Sequence, residues 1–477
     1  MDAHRRDVLR IIAGVAVAMV AAPSVATTEK SGHVPLPPLD GEIHFDEEAR
    51  ASAADDFGHI VRKRPEGVLR PGSDQDVATT IRWAGARGRQ VAAQGQGHSV
   101  YGRAQVRDGI VIAMTQLRTV HHVQKDRVIV DAGAKWSEVL AATLPQGLTP
   151  PVLTEYLELS VGGTLVVGGI GVTTARYGMQ SDNVLALQVV TGKGEQVTCS
   201  PQHNADLFHA VRAGLGQVAV ITRATLALIP APAQVRQYML TYPDLKTLLK
   251  AARLLTADNR FDDVKGAVLP TPDGWKHQLT AASYFSGNTP PDDDALLAGL
   301  SDDRTAAEIQ TLPYGAYVNR FAMLEQRLRD NGQWFHPHPW LMTYVGDAQI
   351  ESVVSSELAK LQPGELGDFG QIALSPFRRQ AVTSPLLRLP ADDVCYAFNL
   401  VRIPTTNAAA EADRLVQANR AAYDRIRAAG GTLYPVSAFP MSHDDWRRHF
   451  GVAWGRLRDA KQTFDPEHVL TPGYEVF

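Results

Sequence analysis

The sequence predicts an α+β protein of two domains, and three observations carry that reading. The chain has 477 residues, 44% of them hydrophobic, which is enough for more than one packed core. Up to about Pro230, short strand patterns alternate with short helical ones. From about 235 to 430, strand-like pieces ("KHQLTAASYF", "VCYAFNLVRI") alternate with longer helical patterns and an acidic loop, "TPPDDDALLAGLSDD". No internal repeat or low-complexity tract interrupts this order.

Residues 1–26 read as an export signal. "MDAHRRDVLR" is basic, "IIAGVAVAMVAA" is apolar but too short to span a bilayer, and "SVA" offers small residues for cleavage after Ala26. Arg5 and Arg6, followed by Leu9, resemble a twin-arginine signal; an ordinary secretory signal with two arginines is the other reading. The twin-arginine route carries folded proteins, so it suits one that takes up a cofactor before export, to the periplasm or beyond the cell. Residues 27–60 are polar and Pro-rich ("HVPLPPLDGE") and read as a linker and loose lead-in.

The first domain spans 61–233. Ser73 with Asp76 three residues on caps a helix whose Val77, Ile81 and Ala84 share a face, and Gly88 stops it. Val128 to Ala132 read as a strand, Ser137 to Leu144 as a helix, and Leu187 to Val190 as a strand. The second domain spans 234–436, and the segment 437–477 returns to the first. There Ser442 and Asp445 form a capping pair, and Trp446, Phe450, Trp454 and Leu457 recur on one helical face.

Lysines and arginines number 47 against 51 acids, for a net charge of −4. No basic run marks a nucleic-acid footprint. No second long apolar stretch predicts a membrane anchor. The two cysteines, Cys199 and Cys395, are too few for a disulfide framework and match no zinc spacing; whether they pair stays open. His336 and His338 have the look of a metal pair, but an HPH turn between domains is the better reading, so no metal is expected.

"AAQGQGHSVYGRAQ", Ala92 to Gln105, sits between two strand patterns and holds three glycines and a lone His98. Clustered glycines let successive N–H groups turn inward on an anion such as a pyrophosphate, although many strand-to-strand loops are simply glycine-rich. A second candidate, "GLGQVA" (Gly214 to Ala219), fits G-x-G-x-x-A. It runs into the β-branched "VITRATLALI" instead of opening a helix, so the Rossmann context fails.

Two longer stretches weigh more: "TEYLELSVGGTLVVGGIGVTTARYGMQSDNVLALQVVTGKGEQVTCS" (Thr154 to Ser200) and "NADLFHAVRAGLGQVAVITRATLALIPAP" (Asn204 to Pro232). Together they resemble the FAD domain of the family that includes vanillyl-alcohol oxidase. The resemblance implies a flavin between two α+β subdomains, beside a substrate domain built as an antiparallel sheet covered by helices. "LPYGAYVNRFAMLEQRLRDNGQWFHPHPWL" and "WRRHFGVAWGRLRDAKQTFDPEHVLTPG" narrow the likeness to cytokinin dehydrogenases, over essentially the whole mature chain.

This resemblance implies FAD joined covalently through His98, with Gly95, Gln96, Gly97, Ser99 and Arg103 around it, and Glu155, Ser160, Ile170, Ile221 and Tyr474 completing the cofactor set. It also implies two catalytic carboxylates. Glu155 stands where the family has an aspartate that takes the substrate amine proton. Glu325, on a helix from Ala316 to Arg329 with Tyr317, Phe321, Leu324 and Leu328 as its apolar face, would meet a purine from the far wall. Read without the resemblance, each glutamate is an ordinary solvated acid. Family members usually carry Gln at the positions of Arg103 and Tyr474 and Asp at that of Glu155, and these departures bear on the flavin contacts and on the chemistry.

The implied reaction is oxidation of an amine C–N bond, with side-chain removal from N6-alkenyl adenines by hydride transfer to flavin and reoxidation by oxygen or a quinone. A same-fold flavin oxidase acting on a sugar or alcohol, and a non-catalytic FAD-fold binding protein, are the alternatives.

Overall fold

The computed structural model describes residues 36–362 and 364–477; the export-signal reading lies outside them. Residues 38–477 form one compact unit, built on three main sheets. In the first, Glu42–His44, Gly67–Arg70, Ile110–Ala113 and Val91–Gln94 lie side by side in that order, the last three parallel. The helix Asp74–Gly85 returns the chain between them; Ser73 caps it by accepting from Asp76 N, and Val77, Ile81 and Ala84 are fully buried.

The second sheet is antiparallel, in the order Val120–Val123, Arg127–Asp131, Ala219–Ala227, Val184–Thr191, Gln196–Cys199. Ala219–Ala227 is the β-branched stretch after the "GLGQVA" decoy, a central strand with no helix after the glycines. The third sheet has eight antiparallel strands, all drawn from between Gln234 and Leu433. Its two faces follow the period of two. At Gly266 a Cβ would touch Leu248 of the helix Leu245–Asp258, whereas Asp263, Lys265, Gln371, Ala373 and Ser375 line a cavity on the opposite face.

The segment after 437 is tied to the first sheet: Val91 N donates to Val469 O at 2.7 Å and Thr471 N to Val91 O at 2.8 Å. A buried ion pair, Lys461 to Asp465 at 2.6 Å, anchors that turn, with Asp465 also accepting from Val469 N and Leu470 N.

Three local expectations are corrected. The lead-in 27–60 is not loose in its described part: Glu42–His44 joins the first sheet, Glu47–Ala53 is a helix capped by Asp46, and Asp56 and Phe57 are buried. The helix expected from Ala316 to Arg329 is two helices, Tyr314–Val318 and Phe321–Asp330, broken where Asn319 and Arg320 leave the ladder. The C-terminal helical face is likewise broken. Ser442 and Asp445 cap His443–Phe450 as a reciprocal pair, but Gly451, at φ +50°, ends it before Trp454–Phe464 begins. Cys199 and Cys395 are both buried free thiols.

Candidate active site

The glycine loop leaves Val91–Gln94 and re-enters the sheet at Ile110. It is held from the lead-in. Phe57 N donates to Gly97 O at 2.8 Å and Gly58 N to Ser99 O at 3.1 Å, so residues 57–58 run beside the loop like a short strand. The buried Asp56 carboxylate accepts from Gly102 N at 2.7 Å and Gly58 N at 3.1 Å. Burial raises this carboxyl to about 7, against the opposing pull of the Gly102 and Ser99 hydrogen bonds. Gly97 sits at φ +66°, a conformation that favours glycine. A Cβ at Gly95 would collide with the Ser160 hydroxyl, so loop and Ser160 approach as closely as backbone allows.

His98 projects into an aromatic box. The Phe57 ring stacks on it at 4.0 Å, Tyr156 lies at 4.9 Å, and Trp334 and Trp340 each at 6.1 Å. Burial, with His338 nearby, pushes the imidazole down to about 3. It is therefore neutral at ordinary pH and its ring nitrogens keep a lone pair for a nucleophilic bond. His338 stacks on Phe57 at 3.9 Å, and its Nδ1 lies 2.9 Å from Phe57 O; His336 Nδ1 lies 2.9 Å from Pro404 O. These two ring nitrogens are thus engaged with backbone carbonyls.

All eleven residues expected around a cofactor, Gly95, Gln96, Gly97, His98, Ser99, Arg103, Glu155, Ser160, Ile170, Ile221 and Tyr474, line one cavity between the three sheets. Arg103 and Tyr474, two departures from the family pattern, are one contact. The guanidinium lies 5.3 Å from the Tyr474 ring and 5.2 Å from that of Tyr101, and its Nη2 donates to Phe439 O at 2.8 Å. Arg103 is buried and its Nε has no partner. A wall of glycine backbone with a buried cation that has an unused donor fits a large, flat, anionic group such as FAD.

Glu155 faces the same cavity from the segment before the helix Val161–Leu165. Lys265 Nζ donates to both of its oxygens at 2.8 Å, and Arg320 Nη2 to Oε1 at 3.2 Å. Its side chain is 41% accessible, but it lines the cavity and so lies inside the protein. Burial alone would raise the carboxyl; the charges of Lys265 and Arg320 outweigh burial and hold it down at about 2. Asp263 lies two residues before Lys265 on the same face. It accepts from Tyr317 OH at 2.7 Å and from Arg320 at 3.5 Å, and burial raises it to about 6 against the Arg320 charge.

Glu325 is placed differently from the expectation. It is not among the side chains lining the cavity, although Leu324 and Leu328 of its helix are; its Oε1 accepts from Tyr156 OH at 3.0 Å and from Arg329 Nε at 2.8 Å, and Tyr156 lines the cavity. Sequence reasoning also missed Lys265, Asp263 and Arg320. The signal available was "DDVKGAV", two charges at alternate positions of a strand that otherwise reads as buried.

Comparisons with known proteins show the family. Residues 65–200 match the FAD binding domain family, and 292–477 match "Cytokinin dehydrogenase 1, FAD and cytokinin binding". The chain is 40% identical over 439 residues to an uncharacterized oxidoreductase of the fasciation locus in Rhodococcoides fascians, covering 92% of this chain and 99% of that one. It is 35% identical to cytokinin dehydrogenase 10 of Oryza sativa subsp. japonica, over 91% of this chain and 88% of that one. The chain belongs to the cytokinin dehydrogenase family of vanillyl-alcohol-oxidase-type FAD oxidoreductases. It is accordingly an FAD-linked oxidoreductase. A solved structure of 6-hydroxy-D-nicotine oxidase from Arthrobacter nicotinovorans shares the fold, with a TM-score of 0.73 at 20% identity over 93% of this chain and 99% of that one. Among the described residues no helix is long and apolar enough to cross a membrane.

Proposed function

We propose that this member of the cytokinin dehydrogenase family oxidises the side-chain amine of N6-alkenyl adenines, releasing adenine and an aldehyde. The observation that carries the proposal is Glu155, an ionised carboxylate in the cavity that also holds His98 and the glycine loop. Bound FAD supplies the acceptor for the hydride that leaves the substrate carbon. Glu155 accepts the amine N–H, first as a hydrogen bond and then as a proton. A carboxylate held near 2 is a weak base, yet sufficient: an amine losing hydride becomes an iminium, whose N–H is far more acidic. The resulting imine is hydrolysed by water to adenine and aldehyde. Burial among Phe57, Tyr156, Trp334 and Trp340 leaves the His98 imidazole neutral, which suits a covalent bond from His98 to the flavin, and the glycine loop with Arg103 would hold the anionic part of the cofactor.

Incubating the enzyme with an N6-alkenyl adenine and an electron acceptor should yield adenine and aldehyde in equal amounts. Intact substrate, alongside turnover of a sugar or alcohol, would overturn the reading. Because Arg5 and Arg6 precede a short apolar core, we also propose export by the twin-arginine route. Changing both to Lys should leave a folded, yellow precursor in the cytoplasm, and normal export of that variant would refute it.

A further inference from the structure

The Lys265 ammonium has three N–H donors. Its only hydrogen-bond partner among the described residues is the Glu155 carboxylate, whose two oxygens both lie 2.8 Å from Nζ. At least one donor is therefore left, and the side chain lines the cavity. Glu155 Oε1 is shared by Lys265 and Arg320, whereas Oε2 takes Lys265 alone and keeps a lone pair for another donor. Arg320 is committed elsewhere as well, with Nη1 on Tyr317 O at 3.1 Å and Nη2 also facing Asp263. The wall thus offers a ligand one acceptor, Glu155 Oε2, and one donor, Lys265 Nζ, side by side.

An N6-substituted adenine carries the complement. Its single exocyclic N–H lies next to a ring nitrogen acceptor, N7 on one edge and N1 on the other, according to how the substituent is turned. We propose that Lys265 is a specificity-determining residue that donates to the ring nitrogen beside the reacting N–H while Glu155 accepts that N–H, so that the pair reads one edge of the purine. The assignment rests on the amine-oxidation reading above and adds the residue that selects the ring. A substrate with carbon in place of that nitrogen leaves a charged donor facing a C–H group, and sites built this way reject the analogue.

The same placement governs protonation of Glu155. The charged and titratable groups packed about it are Lys265 and Asp263 on their strand, Arg320 at the helix break, Tyr317 on the preceding helix and Tyr284 on the neighbouring strand. Removing the ammonium leaves Arg320 as the one cation on the carboxylate. The acid limb of the rate profile should then move to higher pH in Lys265→Met and return in Lys265→Arg, which a merely structural lysine would not cause.

The experiment measures anaerobic flavin reduction by an N6-alkenyl adenine and its 1-deaza, 3-deaza and 7-deaza analogues, in the wild type, Lys265→Met and Lys265→Arg. In the wild type the 3-deaza compound should match the parent, while either the 1-deaza or the 7-deaza compound slows by about 10–100-fold, the range for a lost hydrogen bond to a charged group. In Lys265→Met the parent should fall to the level of that analogue, and Lys265→Arg should restore part of the difference. Equal rates with all three analogues in the wild type, or full discrimination kept in Lys265→Met, would overturn the edge-reading role while leaving amine oxidation standing. A wild-type flavin that the parent does not reduce would overturn both. If Lys265→Met does not fold, the wild-type analogue series alone decides.

Discussion

Asp56 should make the folded protein less stable as pH rises from about 4 towards neutrality, and Asp56→Asn should abolish that trend. Asp56 is 6% exposed and holds the histidine loop through Gly102 N and Gly58 N. Its carboxyl lies at about 7 instead of an ordinary 3.8. Between those values the folded state keeps a proton that the unfolded chain releases, so unfolding free energy falls as pH rises from about 4 to about 7 and then levels off. The gap corresponds to about 4 kcal/mol at 1.36 kcal/mol for each tenfold change in proton affinity. Asn keeps the shape without titrating, and its amide placed against a backbone N–H costs about 1–3 kcal/mol at every pH. Urea unfolding at pH 4.5 to 8 should therefore show the variant gaining on the wild type by up to about 3 kcal/mol across the range. Parallel stability curves for the two proteins would refute the burial argument.

Other perturbations separate the parts of the site. His98→Ala should release FAD into the supernatant on acid precipitation, whereas wild-type colour stays with the polypeptide; wild-type flavin that comes free would remove the covalent bond from the account. Glu155→Gln keeps the size and loses the basicity, so anaerobic flavin reduction should slow by roughly 10²–10⁴-fold with FAD still attached; an unchanged rate would reduce Glu155 to a structural residue. Asp465→Ala strands the Lys461 ammonium, 2% exposed, in the core. It should lower stability by about 3–5 kcal/mol in chemical denaturation, and a loss below about 1 kcal/mol would mean the pair behaves like a surface one.

The parts of this molecule that were legible in the sequence are those written in short contiguous stretches. Ser73 with Asp76, and Ser442 with Asp445, announce helix starts because a cap is a contact over three residues. The glycine segments announce the cavity because backbone that approaches a ligand has to shed its side chains. Direction across space is not written locally. The box around His98 draws on Phe57, Tyr156, Trp334 and Trp340, from three segments up to 283 residues apart, and no periodicity links them. Glu325 entered through the family resemblance, on a helix expected to run unbroken from Ala316 to Arg329. That helix breaks at Asn319 and Arg320, which turns Arg320 to Glu155 and leaves Glu325 behind Tyr156. Nothing local marks Lys265; it is the eight-stranded sheet that places its face over the cavity.

The most direct test of the central claim is anaerobic titration of the yellow enzyme with an N6-alkenyl adenine, and separately with sugars and simple alcohols, following the flavin absorbance. The account predicts that the adenine derivative bleaches the flavin and that the sugars and alcohols leave it oxidised. Bleaching by a sugar or alcohol, with the adenine derivative inert, would contradict it.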